Sequence, residues 1–132
     1  HMYQPGLLYV AVGKMSTTEL YRDQKSLLEP SIDFHVDPVE KFDMDNNSVT
    51  TKSGKKISYD ILCIATGSRG NAAGIPGLAE NACQFYTEAD ALAMYKKLQK
   101  FEGGKVVVAT GVPHKCPMSP LEITFFLVVY FK

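Results

Sequence analysis

The sequence predicts an α/β fold, and three features of its second half support that class. Capping residues and an apolar stripe predict a helix that begins after Thr87 and stops at Gly103-Gly104. The apolar run 105–110 is typical of a buried parallel strand. Another helix is predicted to open near Ser119-Pro120, because proline favours the first helical position. Helix, buried strand, loop and helix is the layer order of α/β proteins.

The helix after Thr87 is predicted from its cap and its periodicity. Asp90 lies three residues after Thr87, which is the spacing of a capping box with aspartate in place of the usual glutamate. Apolar side chains then recur at helical spacing and are expected to face the core, namely Leu92, Tyr95, Leu98 and Phe101.

The first half predicts one helix followed by a β-meander. Ser16 and Glu19 have the spacing of a capping box, so a helix is expected over residues 17–28, with Pro30 ending it. Strands are then expected at 32–36, 39–43, 48–52 and 57–66, separated by turns at 45–47 and 53–54. The second half of the last strand is a continuous apolar run, as expected of a parallel strand covered on both faces.

Composition excludes several classes of function. The chain has 132 residues, and 14 basic side chains balance 14 acidic ones, so its formal net charge is zero. Nucleic-acid binding needs a clustered excess of Lys and Arg, and it is therefore not expected. No metal site is predicted. The longest apolar run, 125–131, is far too short to cross a bilayer.

The cysteines indicate a reducing, cytoplasmic setting. There are 3 of them, an odd number that forms no disulfide framework. Cys63 lies within an apolar strand and is expected in the core. His1-Met2 is interpreted as a cloning remnant and is left out of the fold prediction.

The stretch 59–68 is the first candidate for a ligand site. It is a buried strand that ends in Ala65, Thr66 and Gly67, where the backbone can approach a flat ligand at the carboxyl edge of a sheet. Taken alone, these residues fit a strand that simply ends in a turn better. However, the stretch resembles the second flavin-contact motif of the pyridine nucleotide-disulfide oxidoreductase superfamily. That resemblance implies that Ala65, Thr66 and Gly67 lie against FAD.

The superfamily's first FAD motif, a GxGxxG turn, is absent from this sequence. We therefore expect the chain to be an internal fragment of a larger flavoenzyme, truncated at both ends and unable to retain FAD alone. In relatives that use NAD(P)H, the strand 105–110 leads into a second glycine-rich turn. Here Gly111 remains, while Pro113 and Pro117 remove backbone N–H groups, so the nicotinamide site is expected to be lost.

Cys116 is the candidate redox thiol. Lys115 and His114 precede it and a helix N-terminus follows, and all three favour the reactive thiolate. Without further information, a buried inert thiol would be the better interpretation. However, residues 111–122 and 5–13 resemble sulfide:quinone oxidoreductases, especially archaeal members.

That resemblance implies a reaction. The cysteine that matches Cys116 pairs with a second cysteine, expected outside this chain, across the flavin. Sulfide opens the disulfide, and electrons pass to FAD and on to a membrane quinone. Pro5 and Gly13, in the matching N-terminal segment, are assigned to the cofactor site. Glu122 matches a family glutamate that can act as an acid or base, although a solvated glutamate complementing the helix dipole fits equally well.

The remaining candidates stay open. Some members of the family carry a further cysteine next to the residue matching Thr87, but Tyr86 stands there, and the role is not transferred to Cys83. His35 is expected to be solvated. His114 either tunes Cys116 or is an ordinary loop histidine.

These features together predict a partial FAD/NAD(P)-binding Rossmann-like fold with a β-meander. Residues 3–74 are assigned to the FAD-binding domain, and residues 75–132 to a crossover and the start of a second dinucleotide-type domain. The parent is expected to be cytoplasmic or peripherally attached to a membrane, and the exposed segment 121–131 to favour self-association of the fragment. The alternatives are an enzyme resembling type II NADH:quinone oxidoreductases and a non-enzymatic binding module on the same scaffold.

Overall fold

The computed structural model describes all residues from His1 to Lys132. Its regular elements are the helices α1 (Leu7–Ala11), α2 (Leu78–Asn81), α3 (Glu88–Gln99) and α4 (Ser119–Tyr130), and the strands β1 (Val39–Asp43), β2 (Ser48–Thr51) and β3 (Lys56–Ser58). The chain forms two compact units. The helical unit comprises residues 1–26 and 68–132, and the sheet unit comprises residues 27–67. The domain division predicted from the sequence remains a prediction.

The core of the helical unit forms where α1 packs against α3 and α4. α1 is short, but almost every side chain on it is buried, because the helix lies inside the unit. The side chains at the centre of this core are at most 2% exposed: Leu7, Val10, Ala11, Leu20, Ala91 and Ile123. Burying each large aliphatic side chain contributes roughly 1.5–3 kcal/mol, which makes this cluster the main source of stability in the unit.

α3 begins where the sequence predicts. The Thr87 hydroxyl accepts a hydrogen bond from the backbone N–H of Asp90 at 3.1 Å, which caps the helix. The buried face differs from the predicted stripe, because Ala91 and Met94 lie in the core whereas Leu92 is 37% exposed. The small Ala91 allows α1 to approach closely, and that tertiary contact sets the rotation of the helix.

α4 begins at Ser119 with proline in its first turn, as predicted. Ile123 and Leu127 point into the core, whereas Leu121, Phe125 and Val129 on the other face are exposed. This helix is apolar around its whole circumference, but the helical unit covers only one face. No helix in the described chain is long and apolar enough to cross a membrane.

The helix predicted over residues 17–28 is wrong beyond its first turn. Ser16 and Glu19 do form the capping box, but the 3-10 turn that they start covers only Thr17–Leu20. The backbone of Tyr21 is extended and bridges to Met2. The N–H of Tyr3 also donates to the Leu20 carbonyl at 2.7 Å. Pairing with the N-terminal strand therefore replaces the hydrogen bonds that would have continued the helix.

The sheet unit is an antiparallel meander in the order β1-β2-β3. Phe42 pairs with Val49, and Val49 pairs with Ile57. The predicted turns connect these strands, with Asn47 at φ 45° and Gly54 at φ 87°. Residues 32–36, predicted to be a strand, are irregular. His35, which is exposed as predicted, lies 2.8 Å from the Lys55 ammonium through its Nε2 atom.

Two predicted parallel strands do not form. Only Lys56–Ser58 of the first is paired, and residues 61–66 and 105–110 are irregular and exposed. Ile61 is 84% exposed and Val107 is 76% exposed. Cys63, expected in the core, is exposed as well. A parallel strand is stable only between hydrogen-bonded neighbours and under covering helices, and no strand in the described chain pairs with either segment.

Candidate functional site

Cys116 lies in a cavity of the helical unit with a volume of about 430 Å³. This volume falls within the range of roughly 300–1,000 Å³ that is usual for small-molecule sites. Most of the wall is apolar or aromatic, and a few polar groups converge on it, which is the general composition of a ligand pocket. The lining residues are Gln4, Pro5, Leu7, Leu8, Phe85, Tyr86, Lys115, Cys116, Met118, Ser119 and Glu122.

Three segments far apart in sequence build this cavity. The N-terminal turn and α1 supply Gln4 to Leu8, the segment before α3 supplies the aromatic pair, and the start of α4 supplies the thiol. The rings of Phe85 and Tyr86 stack with centroids 5.1 Å apart and an interplanar angle of 28°. The Gln4 side chain donates a hydrogen bond of 3.5 Å to the Tyr86 carbonyl. These contacts hold the aromatic wall in place beside α1.

The start of α4 stabilises Cys116 as a thiolate. The pKa of its thiol is lowered, first by the Ser119 hydroxyl and then by the backbone N–H groups of Ser119 and Met118. Burial and the Glu122 carboxylate oppose this lowering to a smaller extent. The helix N-terminus therefore acts on the thiol as predicted. Ser119 was missed, although a serine three residues after a cysteine at a helix start is a detectable signal.

The basic neighbours of Cys116 contribute less than expected. His114 and Lys115 are exposed, whereas Cys116 itself is partly buried. A charge surrounded by water is screened, so nearness in sequence alone has little effect on a neighbouring thiol. Only Lys115 lines the cavity.

The structure brings some of the predicted site residues together. Pro5, Cys116 and Glu122 line the same cavity. Glu122 is exposed at its edge and close enough for its carboxylate to affect the Cys116 thiol. A general acid or base needs this kind of access to the reacting group, and its role as one stays a prediction.

Gly13 lies elsewhere in the helical unit. It follows α1 with φ 71°, and a Cβ atom there would lie 2.7 Å from Tyr95 Oη. That space is already filled by a protein side chain. The structure thus offers a packing reason for the glycine, and its assignment to the cofactor site stays a prediction.

Ala65, Thr66 and Gly67 lie at the end of the sheet unit. All three are exposed, and Gly67 has φ 74° with no atom within 4 Å of a Cβ built on it. Such a backbone is open to close approach by a ligand, as the motif requires. Contact of these residues with FAD stays a prediction.

Comparison with known proteins gives the family. The model of the family described as "Pyridine nucleotide-disulphide oxidoreductase" matches residues 1–111. The mitochondrial sulfide:quinone oxidoreductase of Mus musculus is 30% identical over 138 residues, covering 100% of this chain and 31% of that protein. The sulfide-quinone reductase of Aquifex aeolicus is 37% identical over 109 residues, covering 80% of this chain and 25% of that protein.

A solved structure agrees with these sequence matches. The X-ray structure of the sulfide:quinone oxidoreductase from Aquifex aeolicus superimposes with a TM-score of 0.59 at 36% identity. The match covers 75% of this chain and 23% of that structure, so the chain spans less than a third of the length of these relatives. The likeness confirms the predicted α/β class and its partial Rossmann-like fold. On this evidence the chain belongs to the pyridine nucleotide-disulphide oxidoreductase family.

Proposed function

We propose that this chain is part of an FAD-dependent sulfide:quinone oxidoreductase in which Cys116 is the redox-active thiol. The observation that carries the proposal is a partly buried cysteine, with a lowered pKa, in a ligand-sized cavity. Similarity to proteins named as sulfide:quinone oxidoreductases gives the reaction class. The activity belongs to the longer protein of which such a chain would form less than a third.

The residues around the cavity fit a flavin ring. Its volume is adequate for a flat aromatic ligand, and the Phe85–Tyr86 pair offers an aromatic wall. Leu7 and Leu8 supply apolar surface on the side of α1. In the proposed arrangement, Ala65, Thr66 and Gly67 hold another part of FAD, since their backbone is exposed and Gly67 has no neighbouring atoms.

The proposed sulfur chemistry is a thiol–disulfide exchange. Cys116 forms a disulfide with a cysteine outside these residues, and hydrosulfide attacks one of the two sulfur atoms. A new S–S bond forms as the old one breaks, which leaves a persulfide on one cysteine and a thiolate on the other. The sulfide sulfur is oxidised by two electrons and the disulfide is reduced by two. Bound FAD supplies a two-electron acceptor that can be reoxidised by a quinone.

The residues of this chain assist the exchange through charge and protons. The donors at the start of α4 stabilise the thiolate of Cys116, which makes that sulfur the better leaving group. Glu122, at the edge of the cavity, accepts the proton of the incoming sulfide. Because quinone resides in the bilayer, we propose that the longer protein associates peripherally with a membrane.

The test uses the complete protein that contains this chain. Wild type should carry bound flavin and reduce a soluble quinone when sulfide is added. Cys116→Ser should abolish sulfide-dependent quinone reduction, whereas Cys83→Ser, which removes an exposed thiol that does not line the cavity, should retain it. A colourless protein, or sulfide consumption unchanged by Cys116→Ser, contradicts the proposal.

Two further measurements separate this function from its alternatives. Oxidation of NADH that persists in Cys116→Ser would indicate an enzyme resembling type II NADH:quinone oxidoreductases. We also propose that the 132-residue chain alone is inactive. When FAD and sulfide are added to it, the flavin absorbance should not bleach, and any turnover refutes this part.

A further inference from the structure

We infer that Ser119 is a positioning residue, which holds the Cys116 sulfur at the N-terminus of α4 and donates a hydrogen bond to its thiolate form. This inference rests on the proposed function of Cys116 and deepens it by naming the residue that controls the thiol. The similarities in sequence and structure do not assign this role.

The first observation is the burial of Ser119. Its side chain is only 6% exposed, and it lines the same cavity as Cys116. A buried hydroxyl without a partner costs free energy, so its orientation is constrained. Its interaction is with the Cys116 sulfur, and no other hydrogen bond involves it.

The second observation is the hydrogen bonding at the start of α4. No side chain caps this helix. The N–H groups of Leu121 and Glu122 both donate to the Met118 carbonyl at 3.0 Å, and Pro120 has no N–H. The N–H groups of Met118 and Ser119 remain and are directed at the Cys116 sulfur. With the Ser119 hydroxyl, they form a set of three donors around one sulfur atom.

The helix offers a matched control. Thr124 also carries a hydroxyl, but it donates to the Pro120 carbonyl of its own helix at 2.6 Å and does not line the cavity. Thr124→Ala therefore removes a hydroxyl from α4 without removing a donor to Cys116. Ser119→Ala removes the donor, and Ser119→Thr retains it.

The test measures alkylation of Cys116 by iodoacetamide as a function of pH in the 132-residue chain, with each cysteine peptide quantified by mass spectrometry. Because only the thiolate reacts, the midpoint of the profile reports the pKa of the thiol. Ser119→Ala should move the Cys116 midpoint to higher pH and slow alkylation at neutral pH. Thr124→Ala and Ser119→Thr should leave the midpoint at the wild-type value. The profiles of Cys63 and Cys83 serve as internal references in every variant.

An unchanged midpoint in folded Ser119→Ala overturns the inference. If that variant does not fold, wild type in urea provides the comparison. The folded chain must then show a lower Cys116 midpoint than the unfolded chain, and equal midpoints overturn the inference as well. No flavin, sulfide or quinone is present, so the result is independent of the proposed function. Loss of the midpoint shift rejects the role of Ser119, whereas full activity of Cys116→Ser in the complete protein rejects the function.

Discussion

Gly13→Ala should destabilise the helical unit more than the same change at Gly77. Both glycines lie in that unit and have similar positive φ angles, 71° and 80°. They differ in their surroundings. A Cβ atom on Gly13 would overlap the ring of Tyr95, whereas one on Gly77 would lie 3.4 Å from the end of the Asn81 side chain, an ordinary contact.

The magnitudes follow from these two terms. A left-handed backbone costs alanine roughly 1–2 kcal/mol relative to glycine, and both variants should show that loss in the free energy of unfolding. Overpacking adds roughly 1–3 kcal/mol, and only Gly13→Ala should show it, because the Tyr95 ring must leave its place. The expected total is about 2–5 kcal/mol for Gly13→Ala and about 1–2 kcal/mol for Gly77→Ala.

The assay is urea denaturation followed by far-ultraviolet circular dichroism, with the midpoint compared at constant slope. Adding Tyr95→Ala to Gly13→Ala should recover part of the steric loss, so the two changes should be non-additive. Equal destabilisation at the two glycines, or strict additivity with Tyr95→Ala, would refute the packing explanation. The glycine would then have to be explained by contact with the cofactor instead.

Three further predictions concern stability. Ile123→Ala should lower the free energy of unfolding by about 2–5 kcal/mol because Ile123 is 2% exposed, whereas Leu121→Ala on the exposed face of the same helix should change it little, as urea titration will show. Thr87→Ala should cost about 1 kcal/mol through loss of the α3 cap and speed amide hydrogen exchange in its first turn, while Thr87→Ser should retain both. Hydrogen bonds from Asn46 lower the pKa of Asp43, so this carboxylate stabilises the sheet unit above an ordinary aspartate pKa of about 3.9, and the stabilisation is lost as the pH falls through the lowered value. Asn46→Ala should therefore make stability less dependent on pH below about 4, and an unchanged acid-unfolding profile counts against this.

Local signals in the sequence were read correctly where the structure satisfies them locally. The caps at Ser16 and Thr87 need only hydrogen bonds within a few residues, and both are present. Proline in the first turn of α4 and positive φ angles at the meander turns are equally local constraints. The candidate thiol was also recognised from its neighbours, since the start of a helix directly follows Cys116.

Long-range packing determined the features that the sequence could not reveal. The buried face of α3 depends on its contact with α1, and the helix after Ser16 stops because the N-terminal residues pair with Leu20 and Tyr21. The apolar segments 61–66 and 105–110 have the composition of buried strands but no paired neighbour in the described chain, so they remain exposed. Apolar composition indicates what a segment can bury, whereas a strand forms only where another strand supplies its hydrogen bonds.

The same reasoning applies to the candidate site. Residue types and a helix start indicate a reactive thiol at Cys116, because both act over a few residues. The cavity needs Gln4, Tyr86 and Ser119 as well, and the first two are 82 positions apart in the chain. Which hydroxyl donates to the thiol, and which aromatic rings face it, follow from how α1, α3 and α4 pack together. Those contacts depend on the shape of the folded core, and no pattern within one segment encodes them.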